Sequence, residues 1–244
     1  MADWQTFDAR ERVIVALDLE HDAALALARE LKGHAGWMKV GMTLFYECGP
    51  QVVSELKELG FRIFLDLKFH DIPHQVRGAA RSAALTGADL MSVHSLGSDA
   101  MLRAAREGAD EAAAQRGAAV SLVGITVLTS MDQEALGSIG VDGSVADEVD
   151  RLASLAYASG ANGVVCSPQE AGRLRALLGA DALIVTPGVR PAGAALGDQS
   201  RVATPGDAMR AGASHVVVGR PITAADDPVA ACDAIVAEIA QALA

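Results

Sequence analysis

Eight times along its length the chain repeats one phrase, a short apolar β-rich run followed by a stretch rich in Ala, Leu, Glu and Arg. "RVIVALD" precedes "DAALALARELK", where Leu25, Leu31 and the alanines between them suit the buried face of a helix. "GWMKVG" precedes "PQVVSELKELG", whose Gly60 fits the position just past a helix end. "FRIFLDLK" leads to "QVRGAARSAALTG", and "ADLMSVH" to "SDAMLRAAREGADEAAAQ", with Ser98 expected as an N-cap. "AAVSLVGITVLTS" is followed by the polar "MDQEALGSIGVDGS" and the helical "VADEVDRLASLAYASG". "NGVVCS" precedes "PQEAGRLRALL", with Pro168 at a first helical position. "DALIVTPGVR" is the seventh strand, "SHVVVGRPIT" the eighth, and "DPVAACDAIVAEIAQAL" the last helix.

Eight strand-then-helix units predict an α/β chain closed into one (β/α)8 TIM barrel, a single domain over residues 1–244. A chain of 244 residues, 51% hydrophobic, is ample for one well-packed core and too little for two large domains. The architectural rival is a doubly wound open sheet, which would show a glycine fingerprint after its first strand. "VALDLEHDAA" has none.

A net charge of −11 lacks the footprint of a nucleic-acid binder and is repelled by anionic membranes. An anionic substrate would have to be held by a few local cations working against that field. No apolar run approaches ~18 residues, and "MADWQTFDARER" shows no basic region leading into an apolar one. The expected location is the cytoplasm, with neither membrane nor nucleic acid as partner. Cys48, Cys166 and Cys232 are far apart, with no metal-binding spacing, and read as small buried hydrophobes.

Active sites of this fold lie where strands end, on the loops leading into helices. In "FRIFLDLKFHDIPHQV" a buried strand ends in Asp66, Lys68 and Asp71. Asp18 is expected at the end of strand 1, Lys39 of strand 2 and His94 of strand 4. Thr129 follows strand 5, Arg190 strand 7 and Arg220 strand 8. Asp66 and Lys68 stand two apart, so in a regular strand their side chains share a face. A rim of ion pairs that merely offsets its own desolvation is the bland account of such charges. Four of them at the functional mouth favour chemistry.

Three chemistries compete. A Schiff-base lysine must be neutral, whereas flanking aspartates hold Lys68 charged. A divalent metal on Asp66 would be repelled by Lys39 and Lys68. A charged Lys68 beside a fixed carboxylate can instead donate a proton to a carbanion forming next to it, and this reading is favoured. "VVVGRPIT" sets Gly219 beside Arg220, the usual phosphate-binding place in this fold. "TPGVRPAGAALGDQSR", with Arg190 and Gln199, has the composition of a loop that closes over a bound anion. His70, His74 and His94 read as structural histidines.

Together these residues resemble the orotidine 5'-phosphate decarboxylase family. "DLKFHDIP" is similar to that family's Asp-x-Lys-x-x-Asp-Ile-Pro signature. "ALD", "KVG", "VLTS", "TPGVR", "GDQSR" and "VVGRPI" follow in order. The resemblance implies cofactor-free and metal-free decarboxylation of orotidine 5'-monophosphate to uridine 5'-monophosphate, in pyrimidine synthesis. Lys68 would protonate the C6 carbanion and Asp66 would lie near the departing carboxylate, with Lys39 and Asp71 completing the charged chain. Asp18, Lys39 and Thr129 would contact ribose and base. Pro187 would line the base pocket, and Arg190, Gln199, Gly219 and Arg220 would hold the phosphate. It also implies a homodimer in which the Asp71–Ile72 region reaches into the partner's site. One departure stands out: Gln75 occupies a position where the family commonly has threonine, which alters a ribose contact. Magnesium-using keto-sugar phosphate decarboxylases and hexulose phosphate synthases are relatives that resemble each other in a glutamate near the end of strand 2, where this chain has Lys39. A barrel that only binds or scaffolds is the remaining alternative, and it should have lost one of these charges.

Overall fold

The computed structural model describes residues 4–191 and 203–244. Among them eight parallel strands close in sequence order. β1 (Val13–Ala16) leads to α1 (His21–Glu30), and β2 (Trp37–Gly41) to α2 (Met42–Cys48) and α3 (Gln51–Glu58). β3 (Arg62–Phe69) and α4 (Pro73–Leu85) are followed by β4 (Leu90–His94) and α5 (Ser98–Arg116). β5 (Ser121–Ile125) leads through α6 (Gln133–Ser138) to α7 (Val145–Ala158), then β6 (Gly163–Val165) to α8 (Ala171–Leu178). β7 (Leu183–Pro187) and α9 (Pro205–Arg210) precede β8 (His215–Val218), α10 (Arg220–Thr223) and α11 (Pro228–Leu243). Val13, Ile14 and Val15 pair with Val216, Val217 and Val218, which joins the last strand to the first. The expected (β/α)8 barrel is the fold, and the open sheet is excluded by that pairing.

The apolar runs are continuous because both faces of each strand are covered. Val13 and Val15 pack outward against the helices, while Ile14 and Ala16 point inward with Trp37, Phe64, Leu90, Val123, Leu183, Val185 and Val217. Side chains fill the barrel, so the interior is a second core rather than a channel. The amino-terminal segment closes its lower end. Arg12, buried there, donates to the carbonyls of Phe7 and Gln5 at 3.2 and 3.3 Å and to that of Ser214 at 3.4 Å.

Several local expectations were met. Gly60 has φ +97°, as a residue leaving a helix requires. Pro168 opens a 3-10 turn, Pro168–Glu170, fixed by a capping box with Ser167 and running directly into α8. Ser98 does not act as an N-cap. A 3-10 turn over Ser95–Gly97 feeds straight into α5, Gly97 precedes the helix, and no side chain caps it. The β-rich run at "AAVSLVGITVLTS" forms a strand only over Ser121–Ile125, which leaves Thr129 on the loop beyond it.

Candidate active site

Two-residue periodicity places the charges. Trp37 faces the barrel interior, so Lys39 two residues on faces it as well, one layer nearer the mouth. Phe64 and Asp66 repeat the relation on β3. Lys39 therefore lies in mid-strand, opposite Phe64, rather than at the expected strand end. It is 8% exposed, as is Asp66. A buried ammonium and a buried carboxylate persist only when paired.

The pairing runs through four alternating charges. Lys39 Nζ donates to Asp18 Oδ1 at 3.0 Å and stands 3.8 Å from Asp66 Oδ2. Lys68 Nζ donates to that same Oδ2 at 2.8 Å. Gly41 makes room for the outer pair. A Cβ added there would stand 3.0 Å from Lys39 Nζ and 3.1 Å from Asp18 Oδ1, closer than side chains normally approach. Burial alone would push the Asp66 carboxyl up. The charges of Lys39 and Lys68, with hydrogen bonds from Lys68 and Ser92, outweigh it and hold the group below its ordinary value.

Lys68 reaches Asp66 through an irregular backbone. β3 pairs with β4 as Leu65↔Met91 and then Phe69↔Val93, so Asp66, Leu67 and Lys68 stand against Ser92 alone. Lys68 sits in the left-handed region at φ +53°, a conformation that costs a non-glycine residue roughly 1–3 kcal/mol. Next to it His70 and His94 stack, ring centroids 5.1 Å apart. Burial, with the neighbouring His70 and Lys68, lowers His94 to about 4, so it is neutral at physiological pH.

The charges form one wall of a cavity of about 190 Å³. Phe64, Ile125, Val127, Val165, Pro187 and Val217 supply apolar walls, and Leu128 and Thr129 stand on the β5 side. Such a cavity offers a planar ring an apolar slot with one charged edge. Arg190 is half-buried past β7, where Val189 bridges Ala203, and its amide donates to the Ala203 carbonyl at 3.0 Å. Arg220 is exposed at the start of α10, behind Gly219. Gln199 lies outside the described residues.

Asp71, Ile72 and Gln75 are not in the cavity wall. All three are exposed beyond β3, and Asp71 Oδ1 accepts from the Ile72 amide at 2.6 Å. The alternating series within this single chain is thus Asp18–Lys39–Asp66–Lys68, and Asp71, expected to complete the charges from a second copy, stands outside it. Two participants escape a reading by charge. Gly41 shows only as the end of "KVG", and Ser92 only as a lone hydroxyl in the apolar "LMSVH".

The family described as orotidine 5'-phosphate decarboxylase / HUMPS matches residues 11–235. The chain is 53% identical over 232 residues to the orotidine 5'-phosphate decarboxylase of Halorhodospira halophila, covering 95% of this chain and 97% of that one. It is 50% identical over 234 residues to the enzyme of the same name from Moorella thermoacetica, covering 95% and 93%. The crystal structure of orotidine 5'-phosphate decarboxylase from Lactobacillus acidophilus superposes with a TM-score of 0.84 at 40% identity, covering 94% of this chain and 99% of that one. With relatives this similar over nearly the full length of both partners, the chain belongs to the orotidine 5'-phosphate decarboxylase / HUMPS family.

Proposed function

We propose that this chain decarboxylates orotidine 5'-monophosphate to uridine 5'-monophosphate without cofactor or metal. The observation that carries the reading is Lys68, held on Asp66 at 2.8 Å and facing a cavity whose other walls are apolar. In the reaction the bond from C6 to the carboxylate breaks and carbon dioxide leaves. The electron pair stays on C6 and takes a proton from the Lys68 ammonium, which is reprotonated from solvent. Asp66 holds that ammonium in place and lies near the departing substrate carboxylate, and the apolar walls keep water from competing. Lys39 ties Asp66 to Asp18, which with Thr129 serves the ribose and base region; Pro187 lines the base slot. Arg190, Gln199, Gly219 and Arg220 hold the phosphate, the cations meeting it against an overall charge of −11.

Within the family, the magnesium-using sugar-phosphate branch is the second reading. Lys39 weighs against it, because an ammonium 3.8 Å from Asp66 repels a divalent cation from that carboxylate. We further propose a homodimer of single-domain protomers, each 1–244, in which the partner's copy of the Asp71–Ile72 segment, with Gln75, completes the site. Met42, Tyr46, Ile72, Leu96 and Leu128, all on loops and helices following β2 to β5, are 38% to 75% exposed. Large apolar side chains gathered on one side of a mouth suit contact with a second copy. The expected location is the cytoplasm; no described helix is long and apolar enough to cross a membrane.

The test is the ultraviolet absorbance change on adding orotidine 5'-monophosphate, with and without excess EDTA. Rapid loss of substrate, equal in both, is expected. Turnover only of keto-sugar phosphates, abolished by EDTA, would transfer the chain to the magnesium-using branch.

A further inference from the structure

The irregular stretch of β3 leaves a gap that one hydroxyl fills. Because Asp66, Leu67 and Lys68 stand against Ser92 alone, the Lys68 amide falls out of register with the β4 backbone. It donates instead to Ser92 Oγ at 3.0 Å. An amide can only donate, so Ser92 Oγ accepts there and must direct its own proton elsewhere. Its other partner is Asp66 Oδ1, at 2.7 Å. Oδ1 is thereby committed as an acceptor, and Oδ2 is left to face Lys68 Nζ at 2.8 Å and Lys39 Nζ at 3.8 Å. Ser92 itself is fully buried on β4 and does not line the cavity, so it acts on the substrate only through its two partners.

We propose that Ser92 is a positioning residue of the decarboxylation site, one hydroxyl that fixes the backbone of the proton donor Lys68 and the orientation of Asp66 together. The directionality of the two bonds makes the coupling strict. Protonating Asp66 on Oδ1 would set two hydrogens between the same oxygens, so Ser92 favours the ionised carboxylate, and the left-handed Lys68 gains an anchor where the ladder gives none. The small side chain is required as well, since a hydroxyl on a longer stem could not sit between the two strands of a parallel pair.

This inference rests on the proposed decarboxylation, and its test separates the two. Ser92→Ala and Ser92→Thr are compared with wild type for kcat and KM with orotidine 5'-monophosphate, for the acid limb of the kcat profile, and for affinity for uridine 5'-monophosphate. The Asp66 carboxyl is also titrated by carbon-13 NMR. Ser92→Ala is expected to lower kcat roughly ten- to a hundredfold, the range for losing a hydrogen bond to a charged group. KM and product affinity stay within about twofold, because neither depends on the donor geometry. The acid limb and the Asp66 titration both move to higher pH, and Ser92→Thr recovers most of the loss. Should Ser92→Ala fail to fold, Ser92→Cys, a weak donor of similar size, is measured against the same expectations. A variant lacking the hydroxyl with wild-type kcat and an unmoved Asp66 titration overturns the proposal, as does a loss confined to KM. Inactive wild type would sink the decarboxylase reading instead, and the NMR titration would still decide the role of Ser92.

Discussion

At the lower end of the barrel, away from the site, His215 makes the fold sensitive to acid by an amount that can be calculated. Its ring is 2% exposed, set edge-on to Phe7 and Trp37 with centroids 5.7 and 5.4 Å away, and neither ring nitrogen has a hydrogen-bond partner among the described residues. Burial, reinforced by the charges of Arg12 and Arg62, lowers it from 6.5 to about 3. The native state therefore resists a proton that the unfolded chain accepts. Above the unfolded value both states are neutral and the residue makes no pH-dependent contribution; stability then falls as pH drops from 6.5 towards about 3. Between about pH 7.5 and about pH 5 the loss is about 2 kcal/mol, a large share of a typical domain's stability. His215→Phe keeps the edge-on aromatic contacts and has nothing to protonate. Urea unfolding of both proteins across this range, at constant ionic strength, should show wild type losing about 2 kcal/mol more than the variant. Parallel pH dependence in the two proteins would refute the reasoning, because it would mean the imidazole is charged or hydrated in the native state.

The site makes its own predictions. Lys68→Ala should lower turnover at least about a thousandfold while uridine 5'-monophosphate still binds; near-normal turnover would remove Lys68 as proton donor. Arg220→Ala should raise KM for the nucleotide roughly ten- to a hundredfold and leave binding of the phosphate-free nucleoside unchanged, and an equal loss for both would contradict a phosphate role. If Asp71 serves the partner's site, inactive Lys68→Ala and inactive Asp71→Ala proteins, unfolded and refolded together, should recover about a quarter of wild-type activity. Random pairing makes half the dimers mixed, each with one intact site. No recovery, with mixed dimers present, would place Asp71 in its own protomer's site.

The barrel was legible because its strands are buried on both faces and its helices on one, so the period changes visibly eight times. Charge at the mouth was legible for the same reason, since Asp66 and Lys68 interrupt a run that is otherwise apolar after Arg62. Depth was not. Periodicity shows which face Lys39 occupies but not how far along the barrel it lies, which depends on the register of β2 against β3. Asp18 was read as a substrate contact, and its bond to Lys39 became visible only with the strands side by side. The contacts of Lys68 and Ser92 hang on a register shift between β3 and β4, a tertiary feature with no local signature. Ser98 illustrates the opposite failure: its type fits a cap, but the turn before it already sets the chain's entry into α5.

The seam between β1 and β8 also bears on how the molecule is made. Val13 waits for Val216, about two hundred positions later, before its ladder can close. A ribosome must release almost the entire polypeptide before the Asp18 side of the mouth has both its neighbours. Until then the nascent chain presents two unpaired strand edges, one emerging first and one last. Linking residue 244 back to residue 1 and opening the chain at a helix-to-strand turn would turn this longest-range pairing into a local one, and would move the late step of synthesis to another part of the ring.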